Sequence, residues 1–173
     1  MKIMVIGSSG AGKSTFSKKL SERTGYPLLH LDKIWHETDY SDSALAYFKK
    51  VQKQFIAENE NCIVDGNYSG TMETRLPSAD LIIWLKISRL KALRRVISRS
   101  LKTRFAGKNR SDMATNFVEK FDKEYWEFMK FIWNFPKKNE PRIRKIIEEY
   151  HQSDKIIIVK SQKEKEKIMS QFS

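Results

Sequence analysis

The sequence predicts an α/β fold with a parallel sheet covered by helices on both faces. Three observations carry this. Short apolar runs alternate with helical patterns along the chain. The runs are apolar almost throughout, as strands buried on both faces are. The first run leads through a glycine-rich turn, "GSSGAGKST" at Gly7–Thr15, directly into a helical pattern.

Ile3–Ile6 reads as the first buried strand, ended by Gly7. Beyond the turn, Phe16, Leu20 and Thr24 share a helical face, and Gly25 stops that helix before Pro27. "PLLHLD" gives a second strand, Leu28–Leu31, ending in Asp32. Residues 42–59 carry Leu45, Phe48, Val51, Phe55 and Ile56 at spacings of three and four, a helix. "CIVDG" is a third strand, Cys62–Val64, ending in Asp65, and "DLIIWLKI" is a fourth. A basic helix follows with Leu90, Leu93, Ile97 and Leu101 as its core stripe. Gly107 marks a loop near 105–113. Residues 114–135 form an aromatic helix with a stripe of Phe117, Phe121, Tyr125, Phe128, Ile132 and Phe135, closed by Pro136. A separate helix is expected over Pro141–His151, then a fifth strand in "KIIIVK" and a last helix over about 161–171.

The 173 residues are expected to make a single domain, 1–173. The net charge of +12 fits a polyanionic partner or a phosphorylated ligand. Between Lys86 and Arg110 stand ten Lys or Arg and no carboxylate. A single cysteine, Cys62, reads as a buried strand residue in a reducing, cytoplasmic setting. The apolar run before the glycines is too short for a signal-peptide core, and no run is long enough to cross a bilayer. A monomer or weak dimer is expected.

The chemistry starts at the turn, which matches G-x-x-x-x-G-K-[ST] between a strand and a helix. Its glycines let the backbone close around an anion, and the helix dipole adds to the amides. Ser9, Gly10, Ala11, Gly12, Lys13, Ser14 and Thr15 are the candidate nucleotide-binding residues. In such a loop the lysine, Lys13, reaches the β- and γ-phosphates and the hydroxyl of Ser14 ligates Mg²⁺. Asp32 and Asp65 end strands, and ligands of such sheets sit at the carboxyl ends. Either could hold the metal through water, while the other orients or deprotonates an acceptor hydroxyl. The apolar strand leading into Asp65 favours it for the metal. Trp35 and Tyr68 follow the two aspartates and are candidates to stack on an acceptor. Arg95, Arg99 and Lys102 share one helical face, and Arg104 and Arg110 flank Gly107, a pattern that suits a basic lid. Trp126 and Trp133 lie on a neighbouring face of the aromatic helix. His30, His36 and His151 show no metal-site spacing, and His30 is placed inside a strand.

The glycine loop, "VDGNY", "RLPSADLIIWL", "RRVISR" and the C-terminal strand resemble P-loop kinases of the adenylate-kinase type. More closely, "DGNYSGTMETRLPSADLIIWL", "NRSDM" and "EKFDKEYWEFMKFIWNF" are similar to the bacterial DNA topology modulation proteins. The kinase resemblance implies a three-layer P-loop NTPase fold with a five-stranded parallel sheet in the order 2-3-1-4-5 and a small helical lid. It implies ATP, Mg²⁺ and transfer of a γ-phosphoryl group to a small acceptor. It places an acceptor-side insertion at about 33–60 and the lid at about 102–116. Asp65 then matches the aspartate of a D-G-x-P-R signature, but Asn67 and Tyr68 replace Pro-Arg, and the nearest downstream arginine is Arg75. Arg75 is accordingly expected on the acceptor side. Arg95, Arg99 and Arg110 match arginines that hold the base or the reacting phosphates. Ser161 and Gln162 fall at the adenine pocket, although Ser161 serves equally as a helix cap. Nucleic-acid binding by a P-loop ATPase that affects DNA topology is the alternative that the charge supports.

Overall fold

The structure is a computed structural model and describes residues 1–106 and 123–172. Five parallel strands, β1 (Lys2–Gly7), β2 (Leu28–His30), β3 (Cys62–Asp65), β4 (Leu81–Leu85) and β5 (Ile156–Val159), form one sheet in the order β2-β3-β1-β4-β5. Among the described residues six α-helices accompany them: α1 (Lys13–Thr24), α2 (Leu31–His36), α3 (Asp42–Glu58), α4 (Arg89–Ala106), α5 (Lys123–Glu149) and α6 (Gln162–Met169). The fold is the one the sequence predicts.

Both sheet faces are covered, which explains why the central strands are apolar throughout apart from Lys2 at the start of β1 and Asp65 at the end of β3. Ile3, Val5, Ile63, Ile83 and Leu85 pack with Phe16 and Leu20 of α1 and Ile168 of α6. Burying each large side chain of this kind contributes about 1.5–3 kcal/mol. Met4, Ile6, Ile82 and Trp84 face the other way, onto Phe135, Ile143 and Ile147 of α5. Cys62 and Val64 face Leu31 of α2 and Phe48 and Ile56 of α3, and Cys62 is fully buried as expected. Ser41 caps α3 by accepting a hydrogen bond from the Ala44 amide at 3.2 Å, and Ser161 caps α6 in the same way from Glu164.

Three elements differ from the sequence reading. Strand β2 stops at His30, so Asp32 does not end a strand; it stands in the first turn of α2. Helix α4 is turned about its axis relative to the expected leucine stripe. Ala92 and Val96 are buried, whereas Leu90 is 71% exposed and Ile97 and Leu101 are each 40% exposed. The cause is α5, whose Tyr125, Met129 and Ile132 pack on Ala92 and Val96, with Leu93 at the margin. Helix α5 runs through both Pro136 and Pro141 instead of breaking at Pro136. An interior proline costs a helix about 3 kcal/mol, and the anchors Phe135, Ile143 and Ile147 pressed onto the sheet offset it. Of the aromatic stripe, Tyr125, Ile132 and Phe135 are buried and Phe128 is partly so; Phe117 and Phe121 lie outside the described residues. Trp126 and Trp133 are exposed, with the Arg89 guanidinium 5.5 Å from the Trp133 ring. The expected lid loop also falls outside the described residues.

Candidate active site

The carboxyl end of the sheet is where the predicted residues meet. Strand β1 ends at Gly7, which has φ 143; a Cβ there would lie 2.1 Å from the Leu85 carbonyl oxygen. Gly10, at φ 81, is similarly pressed against Ala92, the first buried residue of α4. The two glycines let the loop run tight between β4 and α4 before α1 starts at Lys13. No side chain caps α1, and no acidic residue lies in its first turn. Its first amides are therefore left for an external anion, with the positive end of the helix dipole behind them. Ser9, Gly12, Lys13 and Ser14 are half-buried, Ala11 is buried and Thr15 is exposed. Lys13 Nζ donates to the Ser8 carbonyl at 3.4 Å and so lies folded over the loop.

Two further cations rest on the same loop. Arg95, from α4, donates through Nη1 to the Gly10 carbonyl at 3.2 Å. Lys165, from α6, donates to the Ala11 carbonyl at 2.8 Å. Burial, and then the charge of Arg95, hold the Lys165 ammonium below its usual pKa. Such crowding of positive charge is relieved by a bound polyanion. Arg95 was legible in the sequence and Lys165 was not, because it sits in a charged "KEKEK" run indistinguishable from a solvated face. Arg99 is half-buried one turn beyond Arg95. Arg104 and Arg110 are not among the residues whose side chains are described.

Asp65 ends β3 directly beside Val5 of β1, with a side chain only 5% exposed. His30 is its partner in the ladder on the other side, and His30 Nδ1 lies 2.9 Å from Asp65 Oδ2. The other oxygen, Oδ1, is buried with no hydrogen-bond partner among the described residues. No cluster of three or more His, Cys, Asp or Glu fit to hold a metal by itself occurs among the described residues. This donor set suits Mg²⁺, which is commonly held by one or two protein oxygens together with substrate phosphates and water. Asp65 with its spare oxygen, and the Ser14 hydroxyl in the first turn of α1, fit that requirement.

The region where the sequence places the acceptor comprises α2, α3 and the loop after β3. Tyr68, at φ 32, takes a left-handed conformation unusual for a bulky residue. Burial, and then the nearby Asp32 carboxylate, keep its phenol well above the usual pKa. The Tyr68 ring lies 4.9 Å from Phe48 and 6.2 Å from Trp35, and Trp35 is 5.2 Å from Phe48. Asp32, Trp35 and Tyr68 are thus neighbours in the structure.

Arg75 is not with them. It is 1% exposed, and its guanidinium is turned into the protein. Nη1 donates to Gln52 Oε1 at 2.7 Å and to the Thr71 carbonyl at 3.2 Å, and Nη2 donates to the carbonyls of Gly66 and Asn67. Burial lowers its pKa to about 9, so it remains a cation at neutral pH. It carries the acceptor-side loop from behind. Asn67, which in the sequence shows only as a departure from the D-G-x-P-R signature, fastens the front of that loop. Its Oδ1 accepts from the Gly7 amide at 2.9 Å and its Nδ2 donates to the Gly7 carbonyl at 2.7 Å. One side chain thereby locks the acceptor wall to the first residue of the phosphate loop.

No family model matches the chain. The crystal structure of shikimate kinase from Acinetobacter baumannii in complex with shikimate superposes with a TM-score of 0.55 at 15% identity, covering 98% of this chain and 91% of that one. The two share a three-layer α/β phosphate-loop fold. Shikimate kinase from Bacteroides thetaiotaomicron shows the same, with a TM-score of 0.51 at 20% identity over 99% of this chain and 95% of that one. In sequence, 85 residues are 35% identical to a cytidylate kinase of Thermoplasma acidophilum, covering 40% of this chain and 45% of that protein. A cytidylate kinase of Methanoregula boonei is 31% identical over 100 residues, 49% of this chain and 53% of the other. The chain spans about half the length of the curated relatives it matches.

Proposed function

We propose that this protein is an ATP-dependent phosphotransferase that moves the γ-phosphoryl group of Mg-ATP to a small acceptor. The observation that carries the reading is the uncapped start of α1, ringed by Lys13, Arg95 and Lys165, with the half-partnered carboxylate of Asp65 beside it. The loop amides and Lys13 bind the triphosphate. Ser14 and Asp65 are the residues that would hold Mg²⁺. When bound, the ion supplies positive charge to the β- and γ-phosphate oxygens.

The acceptor enters on the side of Asp32, Trp35 and Tyr68. Its hydroxyl or phosphate oxygen forms the new bond to the γ-phosphorus as the bond to the ADP oxygen breaks; Asp32 orients that oxygen and, for a hydroxyl acceptor, takes its proton. Arg95 and Arg99 lie on the helix leading to the segment proposed as the lid, about 102–116, which carries Arg110. Cations there would stabilise charge on the transferring group, a role in which one arginine is worth about 10³–10⁵ in rate. Residues 33–60 belong to the acceptor side, within one domain and in a cytoplasmic setting. The relatives named cytidylate kinases and the shikimate kinase structures point to nucleotides and small hydroxylated metabolites as acceptor classes. Membership of the topology-modulation group is the finer form of this proposal.

The test measures ADP release from Mg-ATP with a panel of nucleosides, nucleoside monophosphates and shikimate. Release that depends on an acceptor is expected, and Lys13→Ala should slow it by about 10²–10³-fold, the usual loss when one preorganised charge-stabilising donor is removed. Release independent of every acceptor would reject the transferase reading in favour of an ATPase.

A further inference from the structure

Asp65 needs a device to hold it, and the ladder supplies one. In β3, Ile63 belongs to the cluster packed on α1, whereas Cys62 and Val64 belong to the cluster on α2 and α3. Alternation along the strand puts Asp65 on the Ile63 face, toward the helix whose first turn is the phosphate loop. Leu28 and Leu29 of β2 divide between the same two clusters, which puts His30 on that face as well. The two side chains are therefore cross-strand neighbours, 35 residues apart in sequence.

An ionised carboxylate only accepts, so His30 must carry its proton on Nδ1 and donate it to Asp65 Oδ2. This single bond stops the carboxylate from turning about its last torsion and exchanging its two oxygens. Oδ1 remains buried and unpartnered among the described residues. A buried acceptor left without a partner is costly, and the cost is recovered when a cation or its water reaches it. We propose that His30 is a positioning residue, fixing the Asp65 carboxylate so that Oδ1 stays available to the magnesium ion carried by the nucleotide. The inference rests on the Mg-ATP reading above.

Calorimetric ATP titrations, each in Mg²⁺ and in EDTA, separate the two. Partners that orient a metal ligand are typically worth 10–100-fold in metal affinity, so His30→Phe should lose about tenfold of the Mg²⁺-dependent gain in ATP affinity. Its affinity in EDTA should stay at the wild-type value. His30→Asn, which keeps a donor near the Nδ1 position, should recover most of the gain. An undiminished gain in His30→Phe overturns the inference, and so does an equal fall in both buffers, which marks a structural role. If neither variant folds, imidazole ¹⁵N NMR of the wild-type chain decides: His30 protonated on Nδ1 supports the proposal, and a lone pair there overturns it. Wild-type ATP binding that ignores Mg²⁺ rejects the nucleotide reading and this inference with it, a result distinct from a His30-independent gain.

Discussion

A guanidinium that is 1% exposed keeps its charge only where acceptors meet it, and Arg75 turns both Nη groups on the loop that carries Asn67 and Tyr68 and on Gln52, while Nε has no partner among the described residues. Arg75→Met would strand the carbonyls of Gly66 and Asn67, while the Gln52 amide oxygen would keep only the Thr74 hydroxyl. The expected loss is about 3 kcal/mol, since each buried unsatisfied group costs about 1–3 kcal/mol. Urea denaturation measures it. Arg75→Lys should restore only part, because an ammonium cannot span the fork of acceptors. If instead Arg75 gripped an acceptor, Arg75→Met would raise the acceptor KM at unchanged stability. The site residues legible in the sequence were those whose chemistry is local. Lys13 and Ser14 belong to one contiguous motif, and Asp65 follows its own strand. His30, Asn67 and Lys165 act through partners 35, 60 and 154 residues away, and no spacing within one sequence encodes that.

The elements divide in the same way. Strands β1, β3 and β4 are buried on both faces, so their pattern is continuous and their limits were read to within a residue or two. Helix α4 is different because it carries apolar residues on two faces, Leu90–Leu93–Ile97–Leu101 and Ala92–Val96. Only the position of α5 chooses between them, and side-chain size pointed to the wrong one. A pair of substitutions tests the choice. Val96→Asp places an unpaired carboxylate in a site 0% exposed and should cost several kcal/mol or prevent folding. Ile97→Asp, on the 40% exposed neighbour, should change stability by less than about 1 kcal/mol. Thermal melts of the two proteins give the comparison, and a reversed order would return the core stripe to the leucines. Continuity of α5 through two prolines was illegible for a related reason: the breaking tendency is local, whereas the apolar contacts that override it come from the sheet.

At the scale of the whole molecule the question is what a charge of +12 does. Ten of the cations are concentrated between Lys86 and Arg110, a stretch that includes all of α4. Arg95 shows that at least part of this charge is aimed inward, at the phosphate loop. A field of that sign draws a polyanionic nucleotide toward the site and also attracts any nucleic acid nearby. The two uses differ in how they respond to salt. DNA held through five to ten phosphates would lose roughly 10³–10⁵ in affinity between about 50 and 200 mM salt as condensed counterions are no longer released to advantage. ATP seated on directed amides and Lys13 loses far less, because short hydrogen-bonded contacts out of bulk water are weakly screened. Titrations of Mg-ATP and of duplex DNA at those two salt concentrations should therefore show nucleotide binding that persists and DNA binding that vanishes. DNA affinity that survived 200 mM salt, with ADP release stimulated by the duplex, would turn the basic helix into a nucleic-acid surface and the glycine loop into the motor that serves it.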